Sequence, residues 1–311
     1  MPRPERHDVL IVGAGVAGLS AALWLRDFGL DALLLEEATQ PGGQLHEIHA
    51  PIPNYLLAFG WDGRRFAGQA LNDARSAALR ILVGEPVARV AARGRLVERS
   101  GGDRFSGRAI LIATGLRRRG LGVPGEAALV GRGVSHSANR DRERYAGKPV
   151  LVVGGGTAAV EDALLCAESG SDVTLLHRSA RFRARSDFLA RARAHPKIRI
   201  VAGAVVTELV GVERLEAVRY RTRGASAVRE VAVAAIFIRI GWEPRTERLR
   251  GVVRLDRAGY VKAGVGGVTS APGFYAAGDV CSPRWPSIAN AAGQGAAAAW
   301  EIARSLGRLP R

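Results

Sequence analysis

A chain of 311 residues with 47% hydrophobic content can bury one or two ordinary cores, and its composition excludes a fibrous repeat or a disordered chain. Its formal net charge of +16 attracts acidic partners or polyanions and speeds their encounter, but it is not evidence about fold. Of the 45 basic residues only Lys148, Lys197 and Lys262 are lysines, so the excess is equally well read as an arginine-rich composition without a dedicated partner.

The first element starts in the uncharged stretch 9–25. Gly13, Gly15 and Gly18 interrupt that stretch, so it is neither a signal core nor a membrane span, and a cytoplasmic protein without membrane association is expected. Residues 8–12 read instead as a buried parallel strand, followed by a tight glycine turn and a helix from about Val16. Gly13 permits the turn, Gly15 lets the backbone approach a pyrophosphate, and Gly18 lets helix and strand pack closely. A second strand, Ala32–Leu35, ends in Glu36, at the distance where a carboxylate accepts hydrogen bonds from an adenosine ribose.

Next come His46 and His49. With His7, His136 and His195 they make no set with cysteines or clustered carboxylates, and no metal site is expected. A strand at 109–112 runs into the turn Ala113-Thr-Gly115.

The strand, glycine turn and helix recur at 149–163, through Gly154, Gly155 and Gly156, and a strand at 172–176 follows. His177 and Arg178 stand where the first unit has Glu36, with Arg183 soon after. Cations there suit a 2′-phosphate, so NADPH is favoured over NADH. The neighbouring Arg181, Arg185, Arg191 and Arg193 are equally readable as a solvated helix face.

Cys166 and Cys281 are the only cysteines, in no CxxC or metal spacing, which fits a reducing compartment. A structural role is expected for both. No serine nucleophile elbow or triphosphatase lysine–serine pair appears. Surface aromatics are sparse, so nucleic acid is not an expected partner.

Taken in order, Pro41-Gly-Gly-Gln-Leu45, Pro53-Asn54, Ala113-Thr-Gly115, Gly154-Gly-Gly-Thr-Ala-Ala159, His177-Arg178 with Arg183, Ile240-Gly241 and Ala277-Gly-Asp-Val280 resemble the flavin-dependent thioredoxin reductase family over nearly the whole chain. The resemblance implies an α/β fold of two Rossmann-like three-layer nucleotide-binding domains. An NADPH domain, 117–245, is inserted in a split FAD domain, 1–116 and 246–311. The charged, glycine- and proline-bearing segments 117–124 and 241–244 suit its junctions. A homodimer is likewise implied.

By the same resemblance FAD is held at Gly13, Gly15, Val16, Ala17 and Gly18, at Glu36 and Glu37, and at Gly43, Gln44, Leu45 and Asn54. Further FAD contacts fall at Val87, at Ala113, Thr114 and Gly115, at Gly278 and Asp279, and at Ser287 and Ile288. NADPH falls to Gly154, Gly155, Gly156, Thr157, Ala158, Ala159 and Glu161, then His177, Arg178 and Arg183, and finally Ile240 and Gly241. Asp279 is expected to accept from the ribityl hydroxyls, and the helix starting near Ser287 to aim its N-terminal dipole at the flavin pyrimidine.

Three departures stand out. Where the family has Cys-x-x-Cys this chain has Ser137-Ala-Asn-Arg140, which cannot form a redox disulfide. The acid after it, Asp141, is retained, with helix cap, ion-pair partner and proton donor all open as its role. The family's arginine–glutamine pair at the flavin helix becomes Pro286-Ser287. Finally, the aromatic C-terminal extension of the thioredoxin-reductase-like ferredoxin–NADP reductases is expected to be absent.

The expected activity is therefore that of an NADPH-dependent flavoprotein oxidoreductase. Hydride passes from NADPH to FAD, and electrons pass directly to an external acceptor, with no catalytic side chain assigned. An acidic electron carrier of the ferredoxin or flavodoxin type, a small disulfide, a quinone and oxygen all remain candidates, and the positive charge favours the acidic carrier. The alternatives are a degenerate FAD-binding protein that acts through partner contacts and a low-molecular-weight disulfide reductase.

Overall fold

A computed structural model describes residues 3–309. The chain forms two compact units, Met1–Arg117 with Glu243–Arg311, and Arg118–Trp242.

The first unit opens with β1 (Glu5–Val12), α1 (Val16–Asp27), β2 (Ala32–Leu35), α2 (Gly63–Ser76), β3 (Arg80–Leu82), β4 (Val87–Ala91), β5 (Leu96–Arg99) and β6 (Arg104–Ile112). The connecting strand β7 (Leu116–Arg118) leads to the second unit. That unit holds β8 (Val134–Ser135), α3 (Ala138–Asp141), β9 (Val150–Val153), α4 (Thr157–Glu168), β10 (Val173–His177), α5 (Ser186–Ala194), β11 (Ile198–Ala202), β12 (Ala204–Val210), β13 (Ala217–Thr222), β14 (Val228–Ala232) and β15 (Ala235–Ile238). The chain returns through β16 (Trp242–Pro244), which pairs with β7, and finishes the first unit with β17 (Phe274–Ala276) and α6 (Ile288–Ser305).

The first unit's sheet runs β3-β2-β1-β6-β5-β4, with β17 also on β6. Strand β1 is flanked on both sides by parallel partners, β2 and β6. Its apolar run therefore serves two faces: Val9 and Ile11 pack under α1 and α6, while Leu10 and Val12 join the opposite cluster with Leu33, Leu35, Val97 and Phe105. Strand β6 is longer than the 109–112 strand expected from sequence. Along the edge away from β1 its first half pairs antiparallel with β5 and its second half parallel with β17, so that edge serves two partners in succession.

The second unit is a parallel sheet, β11-β10-β9-β15-β8, with α4 and α5 on one face and the antiparallel sheet β12-β13-β14 on the other. The alternation recurs in β9, where Val150 and Val152 face the helical layer and Leu151 and Val153 face the antiparallel layer. Both units place a glycine turn and a helix start at the carboxyl end of a central strand, the position where open α/β sheets bind ligands.

Candidate functional site

In the first unit the Gly13 turn is a steric necessity. Its φ is +105°, and a Cβ there would lie 2.4 Å from the Ala113 carbonyl oxygen. At Gly18 a Cβ would lie 2.0 Å from the Gly13 carbonyl oxygen, so α1 packs against its own turn only through glycine. Gly15 is different: the nearest atom to a Cβ would be the Gly43 Cα at 4.0 Å. Helix α1 then begins at Val16 with no side-chain cap, leaving its first N–H groups without a helical partner.

Glu36 is buried at the end of β2, and its carboxylate accepts from Ala14 N at 2.8 Å and Ala38 N at 2.9 Å. Two backbone amides thus fix its direction while lone pairs remain on each oxygen. Glu37 is exposed and paired with Arg245. Thr114 donates its hydroxyl to the Arg245 carbonyl at 2.8 Å, and Arg245 N donates to Gly115 O at 3.2 Å.

Gln44 donates to Asp279 Oδ2 at 3.1 Å, while Asp279 Oδ1 is buried with no hydrogen-bond partner. Burial pushes the Asp279 carboxyl up, against the opposing bond from Gln44. Gly278 N donates to Gln294 Oε1 at 2.8 Å, which ties the Gly278-Asp279 turn to α6. Helix α6 is capped by Ser287, which accepts from Asn290 N, and Ile288 is its first residue. Ala17 and Leu45 are buried and Val87 packs half-buried against the second cluster, whereas Asn54 lies on an exposed segment that no described hydrogen bond ties to the Gly13 turn.

An orphaned buried acceptor, an open backbone at Gly15 and an uncapped helix start fit a dinucleotide with a polyol arm.

The second unit repeats the turn with a variation. Gly154 has φ +154°, and a Cβ there would meet the Arg239 carbonyl oxygen at 2.4 Å, while a Cβ at Gly156 would meet nothing within 4 Å. A Cβ at Gly155 would sit 2.3 Å from the His177 ring. His177 is buried against that glycine and against Phe182, with ring centroids 4.9 Å apart. Burial lowers its pKa, as do the charges of Arg178 and Arg183, against a bond to the Arg181 backbone. The imidazole thus packs against the turn, and its surroundings disfavour the charged form.

Arg183 N donates to Gly155 O at 2.7 Å and Arg185 N to Thr157 Oγ1 at 3.1 Å, which folds the basic segment back onto the turn. Arg185 is committed to Asp187 at 2.7 Å and Arg191 to Glu168 at 3.4 Å. Arg178 and Arg183 are exposed and form no ion pair among the described residues. Helix α4 starts at Thr157 without a side-chain cap. Ala159 is buried there, and Ala158 and Glu161 are exposed. Ile240 is half-buried and Gly241 is exposed with φ +98°.

Ser137 stands at the N-cap of α3 and Arg140 in its last turn. Asp141 is buried, accepting from Ser135 Oγ at 2.6 Å and from Arg140 at 2.7 Å. Burial pushes its carboxyl up, but the bonds from Arg140 and Ser135 and the charges of Arg140 and Arg144 outweigh it and hold the group below the ordinary carboxyl range. It is therefore an ion-pair partner. Beneath this segment, buried Asp162 accepts from Ala138 N at 3.2 Å and stands 3.2 Å from the Arg239 guanidinium. Burial raises its pKa to about 6 despite that arginine.

Burial pushes the Cys166 thiol up to about 12 and the Cys281 thiol up to about 11, the latter also by Asp279. Neither has the character of a reactive thiolate. His46 bonds to Pro41 O at 2.8 Å, and no cluster of three or more metal-ligating side chains occurs among the described residues. No helix among them is long and apolar enough to cross a membrane.

The sequence reading missed Arg245, Gln294 and the Asp162–Arg239 pair. All act across long stretches of sequence, where no local spacing signals them.

Comparison with known proteins yields consistent findings. The family described as pyridine nucleotide-disulphide oxidoreductase matches residues 7–295. The chain is 36% identical to a thioredoxin reductase of Mycolicibacterium smegmatis over 305 residues, covering 96% of both. It superposes on the crystal structure of Lactococcus lactis thioredoxin reductase with a TM-score of 0.81 and 31% identity, covering 97% of this chain and 100% of that one. It also shares its fold with a bacillithiol disulfide reductase of Bacillus cereus, at TM-score 0.77 and 21% identity, covering 97% and 100% respectively.

Proposed function

The chain belongs to the pyridine nucleotide-disulphide oxidoreductase family, and from that premise we propose that it is a FAD- and NADPH-dependent oxidoreductase whose electrons leave directly for an external acceptor. The observation that carries this reading is the contrast between its two glycine crevices, both open at Gly15 and Gly156, and its redox segment, where Ser137 and an ion-paired Arg140 replace a dithiol. FAD, when bound, supplies the two-electron centre that takes a hydride from NADPH and hands electrons on.

The chain's own residues bind and orient. Gly15, Gly43 and the first amides of α1 receive the diphosphate, and Glu36 receives a ribose hydroxyl. Asp279 uses its unpaired Oδ1 to accept from the ribityl chain, because a buried lone pair without a donor is destabilising by about 1–3 kcal/mol. The capped start of α6 presents the positive end of its dipole to the flavin pyrimidine. Arg178 and Arg183 hold the 2′-phosphate of NADPH.

Asp141 is neutralised by Arg140 and moves no proton. The net charge of +16 favours an acidic redox protein as the acceptor.

An anaerobic titration tests the reading. The purified protein is expected to be yellow, with one FAD per chain, and to bleach at lower NADPH than NADH concentration. The variant Cys166→Ser with Cys281→Ser should reduce a small artificial acceptor within about twofold of wild type, because Cys166 is buried, Cys281 is half-buried, and desolvation pushes both thiols up, away from the thiolate. A folded, FAD-loaded double variant that no longer turns over assigns the electron path to a thiol and rejects the proposal.

A further inference from the structure

Arg245 is tied to two separate strand ends of the first unit. Strands β2, β1 and β6 lie side by side in its sheet. Their carboxyl ends run out at Glu36, Gly13 and Ala113. The main chain of Arg245 is fixed at the β6 end, where its N–H donates to Gly115 O at 3.2 Å and its carbonyl accepts from Thr114 Oγ1 at 2.8 Å. Its guanidinium is fixed at the β2 end, where it pairs with Glu37, the residue after Glu36. Arg245 therefore spans from one flank of the Gly13 turn to the other. Leu249, four residues on, is buried in the apolar cluster against which Val87 packs, and this anchors the strap.

The ion pair does not account for this arrangement. Both side chains are partly exposed, 36% for Arg245 and 47% for Glu37, and such a pair contributes about 0–1 kcal/mol. Yet Arg245 Nε is buried and has no hydrogen-bond partner. A buried N–H without an acceptor is destabilising by about 1–3 kcal/mol, and an acceptor on a ligand removes that penalty. One of the strand ends that Arg245 joins carries Glu36, and the glycine turn lies between the two; in a dinucleotide fold that acid and that turn face the adenosine half.

We propose that Arg245 is an FAD-binding residue that closes the adenosine end of the crevice, its guanidinium steadied by Glu37 and its Nε–H donating to an acceptor atom of the ADP half. The proposal rests on the reading of this crevice as the FAD site. Arginine suits the role because its planar fork makes two directed bonds at once, one to a carboxylate and one to the ligand.

The test uses flavin-free protein titrated with FAD, with FMN, and with ADP as competitor. Arg245→Ala should weaken FAD by about tenfold, the loss of one charge-assisted hydrogen bond, and weaken ADP by the same factor. FMN, which lacks the adenosine, should bind as it does to wild type. Arg245→Lys keeps the charge and the main-chain bonds but has no Nε–H, so it should show most of the same loss and serves if the alanine variant does not fold. Glu37→Gln, which only loosens the guanidinium, should weaken FAD by a smaller factor of about two to three.

Binding of FAD and ADP within twofold of wild type in either Arg245 variant overturns the proposal. So does an equal weakening of FAD and FMN, which marks a general loosening of the unit. Wild-type protein that binds no FAD overturns instead the assignment of the crevice.

Discussion

At Arg178 and Arg183 the charge is placed by folding and left unspent. Four arginines close in sequence are divided by their partners: Arg185 and Arg191 are neutralised by Asp187 and Glu168, while Arg178 and Arg183 form no ion pair among the described residues. The backbone bond from Arg183 to Gly155 sets the second of them beside the glycine turn. Each charge-assisted bond to a phosphate contributes about 1.5–3 kcal/mol. Arg178→Ala with Arg183→Ala is therefore expected to raise the NADPH concentration needed for half-reduction by at least about tenfold and to leave the NADH requirement within about twofold. Stopped-flow reduction with each nucleotide measures both, and an unchanged preference removes these residues from 2′-phosphate recognition. Sequence pointed to both arginines for the phosphate and placed His177 among the nucleotide contacts. Its burial against Gly155 depends on a contact between two strand ends, which no single segment displays.

Between elements the decisive contact is α1 on α6. Gly295 lies where a Cβ would fall 2.3 Å from the Ala17 carbonyl oxygen, and Gly278 where a Cβ would fall 2.8 Å from the Ala17 Cβ. These approaches hold α6 and the Gly278 turn against the start of α1, so the capped end of α6 and the Gly13 turn are packed together. Gly295→Ala must separate backbone from backbone, because no flexible side chain can give way. A destabilisation of about 1–3 kcal/mol is expected, seen as a Tm lowered by several degrees together with weaker FAD retention. A variant with wild-type Tm and flavin content contradicts the packing argument. The helices and glycine turns were legible in sequence because a period of 2 changing to 3.6 around fixed glycines is a local signal. The Asp279–Gln44 and Arg245–Glu37 contacts were not, since each joins segments brought together only by the completed sheet.

For the whole molecule the governing quantity is charge. With 45 basic and 29 acidic residues, the protein attracts acidic macromolecules in general from beyond contact distance, and such attraction acts on the rate of encounter rather than on a reaction that follows it. Exposed charges interact over a Debye length of roughly 30 Å at 0.01 M salt and roughly 8 Å at 0.15 M. Under steady NADPH, the second-order rate with an acidic electron-transfer protein is expected to fall by about tenfold or more across that range. The rate with a neutral quinone carries no such steering and should stay within about twofold. The two acceptors share every step up to reduction of the flavin, so the quinone reaction serves as an internal control for salt effects on folding and nucleotide binding. A carrier rate as flat as the quinone rate would assign the +16 charge to an arginine-rich composition alone, and the search for the acceptor would move to small uncharged molecules.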